Sequence, residues 1–189
     1  MGGLRVNDLL ALCYGRFLLP LKPPTNATNV SSDGNHSSGA HLGLQAEMHT
    51  LIDNSHLFKS LDEEGRLRAL RESSLKTFPK GTVILREGQP GDEFYLIASG
   101  AVRVETPRTD DEHPVELATL GLGAFFGEVA VLTGRPRTAR VTVTDDVLVV
   151  VFSQALVERL LDAYPRVRKL LDAIVLGRAR DTIEKISTR

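Results

Sequence analysis

LKTFPKGTVILREGQPGDEFYLIASGAVRVE, residues 75 to 105, breaks into short runs rich in Val, Ile, Phe and Tyr, punctuated by glycines at 81, 88, 91 and 100. Strand-and-turn repeats this tight, with glycine supplying positive-φ corners, predict a closed or sandwiched antiparallel β architecture and argue against βαβ units. Downstream, TPRTDDEHP (106 to 114) reads as a polar hairpin tip, after which VELATL pairs back. RVTVTDDVLVVVF (140 to 152) reads as an alternating strand, an Asp-Asp turn and a fully apolar strand.

Past that point the period changes from two to that of a helix. Ser153 is a suitable N-cap for QALVERLLDAY, and Pro165 suits the first turn of a second helix whose Val167, Leu170, Leu171 and Ile174 share one face. Upstream, Leu57, Leu61, Leu67 and Leu70 accompany DEEGRLRAL at helical spacing, with its acidic residues where a helix start favours negative charge. Composition shifts sharply at PPTNATNVSSDGNHSSGAHLG (23 to 43), too polar to bury and read as a linker or disordered arm. Its three N-x-S/T triplets, at Asn26, Asn29 and Asn35, are what so polar a stretch yields by chance. The expected organisation is a flexible arm over 1–45, a β unit with flanking helices over 46–162 and a C-terminal helix over 163–189.

A chain of 189 residues, 42% apolar and 25% charged, has room for one core of ordinary size plus extensions. A formal charge of -1 supplies no field that would gather nucleic acid or an anionic membrane over the whole surface. Cys13 is the only cysteine, so a disulfide framework and a cysteine-based zinc site are excluded and a reducing, cytoplasmic setting is expected. The longest apolar stretch, LLALCYGRFLLPL (9 to 21), carries Arg16 in its middle and falls short of the roughly 18–20 residues a membrane span needs. It is read as a loosely docked helix.

FGEVAVLTGRPRTARV (126 to 141) carries the chemistry. Gly127 leads into a single apolar turn, Glu128 takes the favourable N-terminal position, and Gly134 can end the turn in a left-handed conformation. One turn of helix leaves most of its amides unpaired, and free N–H groups suit an anion. Pro136 stiffens the approach to Arg137, which offers a planar fork to phosphate, and Thr138 adds a hydroxyl. On these residues alone two readings stand: Glu128 and Arg137 pair with each other across the loop, or together they hold a polar ligand.

The segment resembles the phosphate-binding cassette of the cyclic nucleotide-binding domain family, whose pattern is matched by Phe126, Gly127, Glu128, Ala130, Pro136, Arg137 and Ala139. The likeness extends over roughly residues 55 to 175, through KGTVILREGQPGDEFYLIASGAVRV and LGLGAFFGE. It implies an antiparallel β-roll (jelly-roll) with short N-terminal helices, a one-turn phosphate-binding helix inside the roll and two C-terminal helices. It further implies a site made by Gly127, Glu128, Val129, Ala130, Arg137, Thr138 and Ala139. There the Gly127 backbone and Glu128 carboxylate would hold the ribose 2′-hydroxyl, the Ala130 amide would face the phosphate, and Arg137 would neutralise its exocyclic oxygens. The implied ligand is cAMP or cGMP, and Thr138 is compatible with both. Val129, Val131 and Arg140 depart mildly from the family pattern.

Other classes fit less well. A cupin enzyme uses a similar roll but needs His-x-His and a Glu on adjacent strands. Only His113 falls in the β region, while His36, His41, His49 and His56 precede it without ligand spacing, so no enzyme activity is expected. Only about a dozen residues follow Leu176, too few for a helix-turn-helix module, and neither an Arg-Arg-x-Ser/Ala inhibitor sequence nor a membrane span is encoded. The expected protein is a cyclic nucleotide sensor that signals through movement of its C-terminal lid helix (163–189), with an effector on another chain or in a missing domain and a homodimer as one state. The alternative is a scaffold of the same fold that acts through protein contacts alone.

Overall fold

The computed structural model describes residues 51–52, 55, 57–107 and 114–187. The expectations for residues 1–45, for the five histidines and for most of the hairpin tip lie outside these residues. A 3-10 turn at Phe58–Ser60 precedes helix α1 (Glu63–Glu72). Asp62 is the N-cap of α1, its carboxylate accepting the Gly65 N–H at 2.8 Å, with Glu63 and Glu64 in the first turn where the helix dipole favours them.

Six strands follow: β1 (Ser74–Phe78), β2 (Val83–Leu85), β3 (Glu93–Thr106), β4 (Val115–Leu120), β5 (Phe125–Phe126) and β6 (Arg140–Ser153). All pairings are antiparallel, in the order β1-β6-β3-β4, with β2 also on β6 and β5 also on β3. The sheet path ends at β1 and β4 without their pairing, so the roll is not a closed barrel.

The two central strands bury both faces, which is why their sequences are apolar with little alternation. Phe94 and Leu96 of β3, with Val150 and Phe152 of β6, point into a core shared with the helices. Their neighbours Tyr95, Ile97, Val149 and Val151 point into the interior of the roll. Each strand period of two is thus split between two cores.

Two expectations are corrected here. Asp145 and Asp146 form no turn, because β6 runs unbroken from Arg140 to Ser153. The register against β3 instead shifts three times between Ile97 and Val102, around Gly100 at φ 79°. A Cβ on Gly100 would lie 2.2 Å from the Asp146 carbonyl oxygen, so only glycine lets both strands bend together here. The Asp146 carboxylate, freed from any turn, accepts the Lys80 N–H at 2.8 Å and ties down the β1–β2 loop. The second correction concerns the glycine corners: Gly81, Gly88 and Gly100 have positive φ, whereas Gly91 does not.

Helix α2 (Glu128–Thr133) sits between β5 and β6, and α3 (Gln154–Ala163) and α4 (Pro165–Ser187) close the fold. Ser153 caps α3, its hydroxyl accepting the Leu156 N–H at 3.3 Å, and Pro165 opens α4, both as the sequence predicts. Val167, Leu171 and Ile174 of α4 are buried against Leu57, Phe58 and the α3 face, while Leu170 is only partly covered. No helix among the described residues is long and apolar enough to cross a membrane.

Candidate functional site

β5 delivers the chain to the site. Phe125 packs against Phe94 with ring centroids 5.3 Å apart, and Phe126 stacks on Tyr95 at 4.8 Å, so the two aromatics anchor in opposite cores. Gly127 then turns the backbone with φ 85° and serves as the N-cap of α2. Gly134 ends α2 at φ 66°, its N–H donating to the Ala130 carbonyl at 2.9 Å, the left-handed termination expected from the sequence. Ala130 and Val131 bury the inner side of this short helix, and Val129 is half-buried.

The charged residues singled out in the sequence are both interior. Glu128 is 3% exposed and Arg137 is 5% exposed, a degree of burial that isolated charges do not tolerate without partners. Their partners are not each other. Glu128 Oε1 accepts from Arg178 Nη1 of α4 at 2.6 Å. Arg137 turns to main-chain carbonyls, donating from Nη1 to Gly127 at 2.8 Å and from Nη2 to Glu93 at 2.9 Å. The direct Glu128–Arg137 pair is therefore replaced by two separately held charges.

The surroundings tune both groups. Burial pulls Arg137 below arginine's ordinary pKa, opposed by the nearby Tyr95, Glu93, Asp92 and Glu128. Burial likewise pushes the Tyr95 phenol well up, reinforced by its hydrogen bond to Glu93. Burial also works to raise Glu93, but hydrogen bonds from Lys76 and Tyr95 and the charges of Lys76 and Arg137 leave its carboxyl below the usual range. The Lys76 Nζ stands 2.6 Å from Glu93 Oε1. A negative β3 start thus backs the buried guanidinium.

Of the predicted residues, Arg137 reaches Gly127 and feels the charge of Glu128, Val129 and Ala130 follow in α2, and Thr138 is exposed and Ala139 half-buried at the entry to β6. Sequence reasoning gave no site role to the Glu93 carbonyl, Gly91 or Phe125. Arg178 of α4 joins them, its Nη1 donating to Glu128. It also donates from Nη2 to the Phe125 carbonyl at 2.9 Å and lies over the Phe125 ring, 4.8 Å from its centroid. A separation of 50 residues between Arg178 and Glu128 leaves no periodicity that could announce the pair.

A six-residue helix set into an antiparallel roll, with an interior carboxylate at its start and an interior guanidinium on its N-cap carbonyl, has the make-up of a ligand-binding module. Residues 75–164 match the family model of the cyclic nucleotide-binding domain, and this segment belongs to that family. Members are regulatory binding domains and not catalysts. A cyclic nucleotide-gated potassium channel of Mesorhizobium japonicum is 34% identical over 122 residues, covering 65% of this chain and 32% of the channel. Another, of Rhizobium etli, is 40% identical over 91 residues, covering 48% of this chain and 24% of the channel. The chain therefore spans about a third or less of these curated relatives. The fold is shared with the regulatory domain of Toxoplasma gondii PKA co-crystallised with cAMP, at TM-score 0.64 and 20% identity, covering 75% of this chain and 52% of that one.

Proposed function

We propose that this chain senses cAMP or cGMP and passes the signal on through α4. The observation that carries the reading is the pair of interior charges, Glu128 and Arg137, held apart from one another on a segment within the family-matched region. A cyclic nucleotide presents a ribose hydroxyl that donates and a phosphodiester that accepts. Glu128 suits the first. The Gly127 backbone joins Glu128 at the ribose, Arg137 suits the phosphodiester with the Ala130 amide beside it, and Val129, Thr138 and Ala139 complete the loop. Two of the five guanidinium N–H groups of Arg137 are engaged by the carbonyls of Gly127 and Glu93, so the others can meet phosphate oxygens.

The contact of Arg178 with Glu128 supports α4 as the output element. A carboxylate accepts up to about four hydrogen bonds, so Glu128 can hold the ribose hydroxyl and Arg178 together. Ligand and helix then meet on one side chain, and ligand binding changes how tightly α4 is held. In this reading the effector lies on another chain or in a further domain, a homodimer is one state of the chain, and the protein works in the reducing cytoplasm. The channel relatives are consistent with such a sensor acting on a separate functional unit. Isothermal titration of the full chain with cAMP and with cGMP tests the proposal: saturable one-site binding of either supports it. Absence of heat and of competition with a labelled analogue at millimolar ligand rejects it in favour of a scaffold.

A further inference from the structure

The loop from Gly88 to Glu93 holds Arg137 at three points. The Gly88 N–H donates to the Arg137 carbonyl at 2.8 Å, and the Arg137 N–H donates to the Gln89 carbonyl at 2.8 Å. The Glu93 carbonyl takes Nη2 at 2.9 Å. Between these contacts, Pro90 stiffens the loop and Gly91 follows. Gly91 has no positive φ, so its backbone conformation does not demand glycine. Space does. A Cβ built on Gly91 would fall 2.2 Å from Arg137 Nε, 2.3 Å from Nη2 and 2.4 Å from Cζ, which means that the guanidinium occupies the volume where a side chain would begin. On the opposite side a Cβ on Gly127 would come 2.8 Å from Nη1. The guanidinium lies in a slot between two glycines.

We infer that Gly91 is a positioning residue for the ligand site, setting where the Arg137 guanidinium rests by leaving the floor of the slot open. The colliding atoms belong to the far end of a flexible side chain and not to the backbone, so a larger residue at 91 displaces the Arg137 guanidinium before it moves the main chain. The displaced guanidinium cannot keep both the Gly127 and Glu93 carbonyls, and its fork loses the fixed direction that bidentate recognition of phosphate requires. The inference rests on Arg137 being the phosphate ligand, as proposed above, for its effect on binding. Its effect on the resting position of Arg137 is independent of any ligand.

The test uses the full chain with Gly91→Val, Arg137→Ala and both together, with Gly91→Ala as the milder variant should Gly91→Val not fold. In the ligand-free protein the side-chain N–H signals of Arg137 in 15N spectra are expected to be resolved and slow to exchange, and to shift or broaden in either Gly91 variant. In cAMP titrations Gly91→Val should lose on the order of tenfold in affinity, and should lose nothing further when Arg137 is already alanine. Unmoved Arg137 signals, or an equal loss in both backgrounds, overturns the inference, since a residue with a merely structural role would not depend on Arg137. If the wild-type chain binds neither cAMP nor cGMP, the functional proposal falls, while the ligand-free spectra still decide the role of Gly91.

Discussion

Arg137 carries two burdens, and the consequences of removing it follow from both. In the proposed reading its side chain meets the ligand phosphate, and losing a bidentate charged contact should cost about 2–4 kcal/mol of cyclic nucleotide binding. It also satisfies the Gly127 and Glu93 carbonyls in the folded protein without ligand. Arg137→Ala leaves those acceptors short of donors, at about 1–3 kcal/mol of stability. The two carbonyl contacts therefore predict a loss of stability beside the loss of binding. Titration and thermal unfolding of Arg137→Ala check the two effects together. Binding within about threefold of wild type would show that Arg137 does not meet the phosphate, whatever happens to stability. The position of this arginine was legible in the Pro136-Arg137 pair and in the glycine-flanked turn before it. Its main-chain partners were not, because a hydrogen bond to a backbone carbonyl leaves no trace in the residue type that supplies it.

Elements were legible where their signals are local. The Ser153 cap, Pro165 at the start of α4, the acidic start of α1 and the left-handed Gly134 each depend on residues within a turn of one another, and all stand as the sequence predicts. The Asp-Asp bend in β6 was misread because its cause lies across the sheet, at Gly100, and turn residues look alike whether they reverse a chain or merely bend it. A similar cross-element cause governs Gly65, the third residue of α1. Glycine there costs up to about 1 kcal/mol relative to alanine, so Gly→Ala normally stabilises a helix. Here a Cβ would lie 2.7 Å from the Tyr164 Oη and 2.8 Å from its ring carbons. Tyr164 is the link between α3 and α4, and its hydroxyl donates to the Asp62 carboxylate that caps α1. Gly65→Ala is therefore expected to lower the melting temperature by displacing the tyrosine from the cap. In a Tyr164→Ala background the same substitution should raise it. Stabilisation in both backgrounds would show that the α1–Tyr164 contact does not constrain the helix junction.

At the scale of the molecule, α4 runs from the helical core to the candidate site. Val167, Leu171 and Ile174 bury beside Leu57 and Phe58, and a turn later Arg178 reaches Glu128 and the Phe125 carbonyl. Further along, the Lys185 ammonium donates to the Leu117 carbonyl on β4. The apolar anchor is strong, since each buried aliphatic side chain contributes about 1.5–3 kcal/mol. The distal half, in contrast, is held by polar contacts, with Leu176 and Ile183 exposed on its outer side. Such a helix can loosen from its C-terminal end while its first turns stay in place. A ligand shifts that equilibrium only by its differential affinity for the two arrangements. Glu128 supplies the difference if the ribose hydroxyl and Arg178 bind it together. Amide hydrogen exchange over residues 175 to 187 should then slow when cAMP or cGMP saturates the chain. Arg178→Ala should speed that exchange without ligand and reduce the slowing with it, because the helix has lost its hold on the shared carboxylate. Residues 165 to 174 should change little in either case, being fixed by the apolar core. Exchange unchanged over 175 to 187 at saturating ligand, with protection confined to 126 to 140, would leave a binding site uncoupled from α4. The signal would then have to leave through the α2 loop itself.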